Sequence, residues 1–192
     1  MELHFIRHGE AEHNMNEPKT FQITNPDLTP KGVSQAKELR QIFHLKSSDL
    51  LLMSPSVRTI ETAIIFANDL NCEMAVVPMF GPKIFPYKSN SKTLPCDKTL
   101  SYHELAGEYP FLDVFECKDL CTLNKPLNSI KEEAFMKLAY QFFHWCRKSE
   151  RSRIFIITHD GTINSYLEIL TEKKLTRDDM LSEGKYLTVN LT

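Results

Sequence analysis

Apolar and β-branched residues gather in short runs along the chain, and longer stretches with a helical repeat separate them. Such short runs are typical of buried strands, and they occur at residues 3–6, 50–53, 74–77, 154–158 and 186–191. Apolar residues at three- and four-residue intervals predict one helix after Pro30. A second is predicted from the Ser129 and Glu132 capping-box pattern to about Lys148. Strands alternating with helices predict an α/β fold, a three-layer sandwich with a largely parallel central sheet.

The length of the chain favours one domain. Its 192 residues, 42% of them hydrophobic, are enough for one sizeable core and few for two. We therefore expect residues 1–192 to form a single domain. The alternation weakens at residues 78–128, which contain six prolines. We expect this segment to be an insertion that lies over the active site and is not an independent domain.

Charge and hydropathy argue against several kinds of partner. The 25 acidic side chains nearly balance the 23 basic ones, so no overall positive field predicts binding to nucleic acid or to an anionic membrane. No stretch approaches the roughly 20 apolar residues of a membrane span, and the N-terminal residues lack the pattern of a secretory signal. We expect a cytoplasmic protein, and the sequence makes no prediction of its oligomeric state.

Three polar motifs each follow a predicted strand. They are Arg7-His8-Gly9-Glu10, Arg58 within residues 54–62, and His159-Asp160. Because the carboxyl ends of parallel strands meet at one edge of a sheet, the motifs are expected to converge there. Two arginines and two imidazoles suit a phosphoryl group, whose negative charge is spread over three oxygens. A neutral imidazole can attack phosphorus and form a phosphohistidine, and this chemistry needs no metal or other cofactor.

These motifs resemble those of the histidine phosphatase superfamily, which includes the cofactor-dependent phosphoglycerate mutases. Further matches extend the resemblance over most of the chain: Asn14, residues 28–32 and residues 35–36. The resemblance implies a phosphoglycerate mutase-like fold and a small phosphorylated substrate. It also assigns a nucleophile and a phosphate pocket. The nucleophile is His8, and the pocket residues are Arg7, Asn14, Arg58 and His159.

The proton donor is where the sequence departs from the family pattern. Mutase-like members usually supply a glutamate after the third strand, and residues 79–86 contain none. The His159-Asp160 pair is similar to that of the acid-phosphatase branch, in which the aspartate is the donor. Asp160 is therefore the preferred general acid, with Asp97 and Glu104 as alternatives, since a donor must reach the leaving oxygen.

The sequence thus predicts a metal-independent phosphatase that hydrolyses a small phosphomonoester through a phosphohistidine on His8. One alternative is a phosphotransferase of the phosphoglycerate mutase type. Another is a catalytically silent module that binds a phosphorylated ligand, since a shared fold does not guarantee a shared activity.

Some polar residues are predicted to have no part in the chemistry. Lys83 is expected to be solvated, like most lysines. The remaining histidines lack a comparable context and are expected on the surface or in packing. These are His4, His13, His44, His103 and His144.

Overall fold

Six strands form one sheet between two layers of helices. The computed structural model of the chain describes residues 1–68, 70–89, 92–115, 121–123 and 125–191. The strands are β1 (Glu2–Arg7), β2 (Leu50–Met53), β3 (Glu73–Val76), β4 (Asp113–Val114), β5 (Arg153–Thr158) and β6 (Tyr186–Asn190). The helices are α1 (Pro30–Ile42), α2 (Val57–Ala67), α3 (Tyr102–Glu108), α4 (Glu132–Lys148) and α5 (Asp160–Thr171). Among the described helices, none combines the length and apolar character that crossing a membrane requires.

The sheet is parallel except at one edge. Its strand order is β4-β3-β2-β5-β1-β6, and only β6 runs antiparallel to its neighbour, β1. The predicted α/β fold is confirmed. So are the five predicted strands, each within one residue of its expected ends. Strand β4 was not predicted, because two residues are too few for a recognisable pattern.

Two apolar cores lie on opposite faces of the sheet. Alternate residues of a strand point to opposite faces, so Leu3 and Phe5 of β1 pack with α4 and α5, whereas Ile6 packs with α1 and α2. Phe5, Ile6 and Leu3 are completely buried. These two cores hold the strand ends in fixed positions at one edge of the sheet.

The start of α4 differs from the prediction. Ser129 lies in a 3-10 turn, and its Oγ donates to the carbonyl of Pro126 at 2.6 Å. The helix begins after Lys131, and the Glu132 carboxyl accepts a hydrogen bond from Lys83 Nζ at 2.7 Å. The predicted Ser129 capping box is therefore wrong, because Glu132 is engaged by a lysine of another segment.

Lys83 is buried, which contradicts the expectation of a solvated side chain. It is 7% exposed, and its Nζ lies 4.7 Å from the centre of the Phe135 ring and 4.9 Å from that of Tyr87. Pairing with Glu132 offsets the cost of removing the ammonium group from water. The contact ties the segment after β3 to the start of α4.

A close backbone contact joins the loop after β1 to α1. A Cβ atom on Gly32 would lie 2.0 Å from the Glu10 carbonyl oxygen, and one on Gly9 would lie 2.5 Å from the Gly32 carbonyl oxygen. The Thr29 side chain caps α1 by accepting from the Gly32 amide at 3.1 Å. Glycine at both positions therefore lets the loop that contains His8 pack directly on α1.

We expect Gly32→Ala to destabilise the fold by about 1–3 kcal/mol, since the added methyl group must displace backbone atoms. Gly107→Ala in α3 is the matched control, because no atom lies within 4 Å of its added Cβ. The control should be neutral or about 1 kcal/mol more stable, as alanine favours a helix. Urea unfolding measures both variants. A Gly32→Ala protein as stable as wild type would contradict the close contact.

Candidate active site

The three polar motifs meet around one cavity at the carboxyl edge of the sheet. The cavity has a volume of about 430 Å³. The residues predicted for the site all line it: Arg7, His8, Asn14, Arg58, His159 and Asp160. Of the alternative proton donors, Asp97 lines it as well. Convergence of the motifs follows from the parallel order of β1, β5 and β2, which end side by side.

Arg58 lies at the centre of the site. Its side chain is 1% exposed and extends from the first turn of α2. Its Nε donates to His8 Nε2 and its Nη2 to His159 Nδ1, both at 3.2 Å. Its Nη1 donates to the Cys96 carbonyl at 2.8 Å, and Nη2 lies 3.5 Å from Asp97 Oδ1. The guanidinium thereby joins two imidazoles to the segment that contains Asp97.

The hydrogen bonds of His8 fix its tautomer. Its Nδ1 is 2.7 Å from the Gly9 carbonyl, which can only accept, so Nδ1 carries the proton. Its Nε2 accepts from Arg58, which can only donate, so the lone pair is on Nε2. Burial, and then the charges of Arg58 and Arg7, hold the pKa of His8 well below its usual range. His8 is therefore a neutral imidazole with a nucleophilic nitrogen.

His159 is held in the opposite tautomer. Its Nδ1 accepts from Arg58, so the proton is on Nε2, which donates to Ser54 Oγ at 2.8 Å. Burial, and then the charge of Arg58, hold the pKa of His159 well below its usual range. Because the N–H of His159 donates to Ser54, the ring has no N–H left for a ligand in this arrangement. Its role there is to position Arg58.

Arg7 is held by two acidic side chains. Its Nη1 lies 3.2 Å from Asp160 Oδ2 and donates to the Leu181 carbonyl at 2.6 Å, and its Nη2 lies 2.6 Å from Glu183 Oε1. The other oxygen of Asp160 accepts from the Gly161 amide at 2.6 Å. Both oxygens of Asp160 are thus engaged by neighbouring groups.

Asp97 differs from Asp160 in its surroundings. Burial raises the pKa of Asp97, Arg58 opposes that rise, and the nearby charge of Asp160 adds to it. Glu104 lies outside the cavity, where its carboxyl accepts from the Ser101 amide at 2.7 Å and caps α3. The structure therefore brings two of the three candidate proton donors together.

Asn14 and His13 lie on the same 3-10 turn beside the cavity. Asn14 Oδ1 accepts from the Ala11 amide at 3.1 Å, so this side chain also stabilises the turn. His13 lines the cavity and is 7% exposed, with its ring centre 5.6 Å from that of His8. A position on the surface or in packing was predicted for His13, and its place at the cavity was missed. Its closeness to the Arg7-His8 motif was the available signal.

A family comparison agrees with this arrangement. Residues 3–80 match the family model described as histidine phosphatase superfamily, branch 1. The matched segment contains Arg7, His8, Asn14 and Arg58. Over these residues the chain is similar to the histidine phosphatase superfamily. Among curated proteins, the chain is 26% identical over 178 residues to a putative phosphoserine phosphatase 2 from Hydrogenobacter thermophilus, covering 88% of this chain and 78% of that protein.

Solved structures share the fold of this chain. A putative α-ribazole-5'-phosphate phosphatase from Escherichia coli has a TM-score of 0.63 at 20% identity, covering 99% of this chain and 90% of its own. A phosphoserine phosphatase from Entamoeba histolytica has a TM-score of 0.61 at 22% identity, covering 97% and 89%. The predicted phosphoglycerate mutase-like fold is confirmed.

We expect the protein to lose stability in mild acid. His8, His13 and His159 are buried and neutral, with pKa values below the usual value of about 6.5 that they regain on unfolding. Below that value the unfolded chain binds more protons than the folded one. Each histidine therefore lowers the free energy of unfolding by about 1.4 kcal/mol between about pH 7.5 and 5.5.

Urea unfolding at the two pH values measures this loss, which is about 4 kcal/mol for the three histidines together. His13→Phe should reduce the loss by about a third, whereas replacing the exposed His44 with Ala should leave it unchanged. Equal stability of the wild-type protein at both pH values would contradict the neutral buried imidazoles.

Proposed function

We propose that the chain is a metal-independent phosphatase that hydrolyses a small phosphomonoester through a phosphohistidine on His8. The observation that carries this proposal is the state of His8, a neutral imidazole with its proton on Nδ1 and its lone pair beside a buried arginine. The phosphatase names of the relatives support the reaction class. The small phosphorylated substrates in those names support the proposed kind of substrate.

The first step is attack by His8 Nε2 on phosphorus. The N–P bond forms as the bond from phosphorus to the leaving oxygen breaks, and a carboxyl group transfers its proton to that oxygen. Arg58 and Arg7 stabilise the charge that spreads over the phosphoryl oxygens. Arg58 Nε, which donates to His8 Nε2 in the structure, exchanges that contact for a phosphoryl oxygen so that Nε2 is free to attack.

The second step releases phosphate. The carboxylate left by the first step takes a proton from water as the water oxygen attacks phosphorus. The N–P bond breaks, and His8 returns to its neutral state with the Nδ1 proton still held by the Gly9 carbonyl. His159 keeps Arg58 in position during both steps, and Asn14 is proposed as a further phosphate contact at the cavity wall.

We assign the proton transfer to Asp97 in preference to Asp160. Both oxygens of Asp160 are engaged, by Arg7 and by the Gly161 amide. Burial raises the pKa of Asp97, as a proton donor requires, and its carboxyl lies 3.5 Å from Arg58 Nη2. A bound phosphoryl group adds negative charge and raises the pKa of Asp97 further.

The proposed role of the insertion is to form a wall around the leaving group. The described residues of 78–128 that line the cavity include Lys83, Phe85 and Asp97. The start of the segment is fixed to the sheet, because Thr158 Oγ1 donates to the Phe80 carbonyl at 2.6 Å. A wall held in this way restricts the size of the alcohol that the cavity accepts.

Phosphate release from an activated aryl phosphomonoester, measured with EDTA present, tests the function. Wild-type protein and the control His44→Ala should both turn over, whereas His8→Ala should lose activity by at least about a hundredfold. Phosphate binding by wild type without release would favour the silent module. Transfer between 2- and 3-phosphoglycerate in place of hydrolysis would favour the mutase.

The proton donor is tested by comparing leaving groups. We expect Asp97→Asn to slow hydrolysis of an alkyl phosphate by about 10² to 10⁴ and to affect an aryl phosphate far less, because an aryl oxide leaves without a proton. Asp160→Asn should slow both substrates equally, since Asp160 positions Arg7. The opposite pattern, with the selective loss in Asp160→Asn, would return the donor role to Asp160.

A further inference from the structure

The cavity contains three buried imidazoles, and two of them have their N–H groups engaged within the protein. The N–H of His8 donates to the Gly9 carbonyl, and that of His159 donates to Ser54 Oγ. For His13 no hydrogen bond of the ring is found among the described residues, and its Nδ1 is buried without a partner. His13 is therefore the imidazole whose hydrogen-bonding capacity the fold leaves unused.

The His13 side chain is not required to hold its own turn. The turn is fixed through the backbone, where Thr20 Oγ1 donates to the His13 carbonyl at 2.8 Å. By contrast, the buried His4 on β1 has a packing role, since its Nδ1 is 2.9 Å from Thr188 Oγ1 and its ring stacks on Phe155. A buried polar group without a partner is costly, and such groups are often explained by function.

The His13 ring is neutral. Burial, and then the charges of Arg58 and Arg7, lower the pKa of His13 to about 3. A neutral imidazole carries one proton, and an unpaired lone pair is tolerated in the interior more readily than an unpaired N–H. The buried Nδ1 therefore holds the lone pair, and Nε2 carries the N–H.

We propose that His13 is a substrate-contacting residue whose Nε2–H donates a hydrogen bond to a phosphoryl oxygen of the bound phosphomonoester. The inference rests on the proposed function and adds a neutral N–H donor beside Arg7 and Arg58. The 5.6 Å between the ring centres of His13 and His8 allows one phosphoryl group to contact both. A neutral donor stabilises the phosphoryl oxygens without adding a charge that would retain the phosphate product.

Two substitutions separate this role from a structural one. His13→Phe keeps a ring and removes the N–H, whereas His13→Gln places an amide N–H at a similar reach. Calorimetry with inorganic phosphate should show binding about ten- to hundredfold weaker in His13→Phe and nearly unchanged in His13→Gln. The KM for an aryl phosphate should rise by a similar factor in the Phe variant, and its Tm should be no lower than that of wild type.

A spectroscopic measurement on the wild-type protein covers the case in which His13→Phe fails to fold. In ¹⁵N NMR, His13 should show a proton on Nε2, and that signal should shift when inorganic phosphate is added. A proton on Nδ1, or a signal that does not move with phosphate, would overturn the inference.

The inference and the proposed function fail in different ways. If wild type hydrolyses the aryl phosphate and binds phosphate, and His13→Phe binds it equally well, the role of His13 is wrong and the phosphatase stands. Equal losses in the Phe and Gln variants would also overturn it. If wild type neither binds phosphate nor releases it from the ester, both proposals are wrong.

Discussion

The rest of the site depends on the contacts of one buried group, the guanidinium of Arg58. A fully buried cation is costly unless its donors are satisfied, and here they are shared among His8, His159, the Cys96 carbonyl and Asp97. These contacts also determine the tautomers and positions of the groups around Arg58. Arg58 places the lone pair of His8 on Nε2, fixes the tautomer of His159, and holds the Asp97 segment beside the cavity.

The fold makes this arrangement possible because it ends β1, β2 and β5 side by side. Arg58 is in the first turn after β2, whereas His8 and His159 follow β1 and β5. The two apolar cores hold those strands from both faces, and the Gly9 and Gly32 contact fixes the loop that contains His8. A pocket supported in this way is organised before a substrate binds, which reduces the reorganisation needed during reaction.

The sequence allowed the fold and the convergence of the three polar motifs to be predicted, because strand runs and polar motifs are local patterns. The contacts between distant segments were not predictable in the same way. Lys83 appeared to be an ordinary solvated lysine because its partner Glu132 is 49 residues away. His13 was expected on the surface or in packing because its closeness to Arg58 depends on how the turn after β1 folds back. The position of Asp97 at the cavity depends on the path of the insertion, and no periodic pattern in the sequence predicts that path.

The central claim is that His8 becomes phosphorylated, and direct detection of the phosphoenzyme tests it most closely. The protein is mixed with an aryl phosphate, quenched in alkali, where phosphohistidine is stable, and mapped by peptide mass spectrometry. Our account predicts one phosphoryl group on His8, which disappears after acid treatment and does not form in His8→Ala. Turnover with no phosphoenzyme, or with the phosphoryl group on another residue, would contradict it.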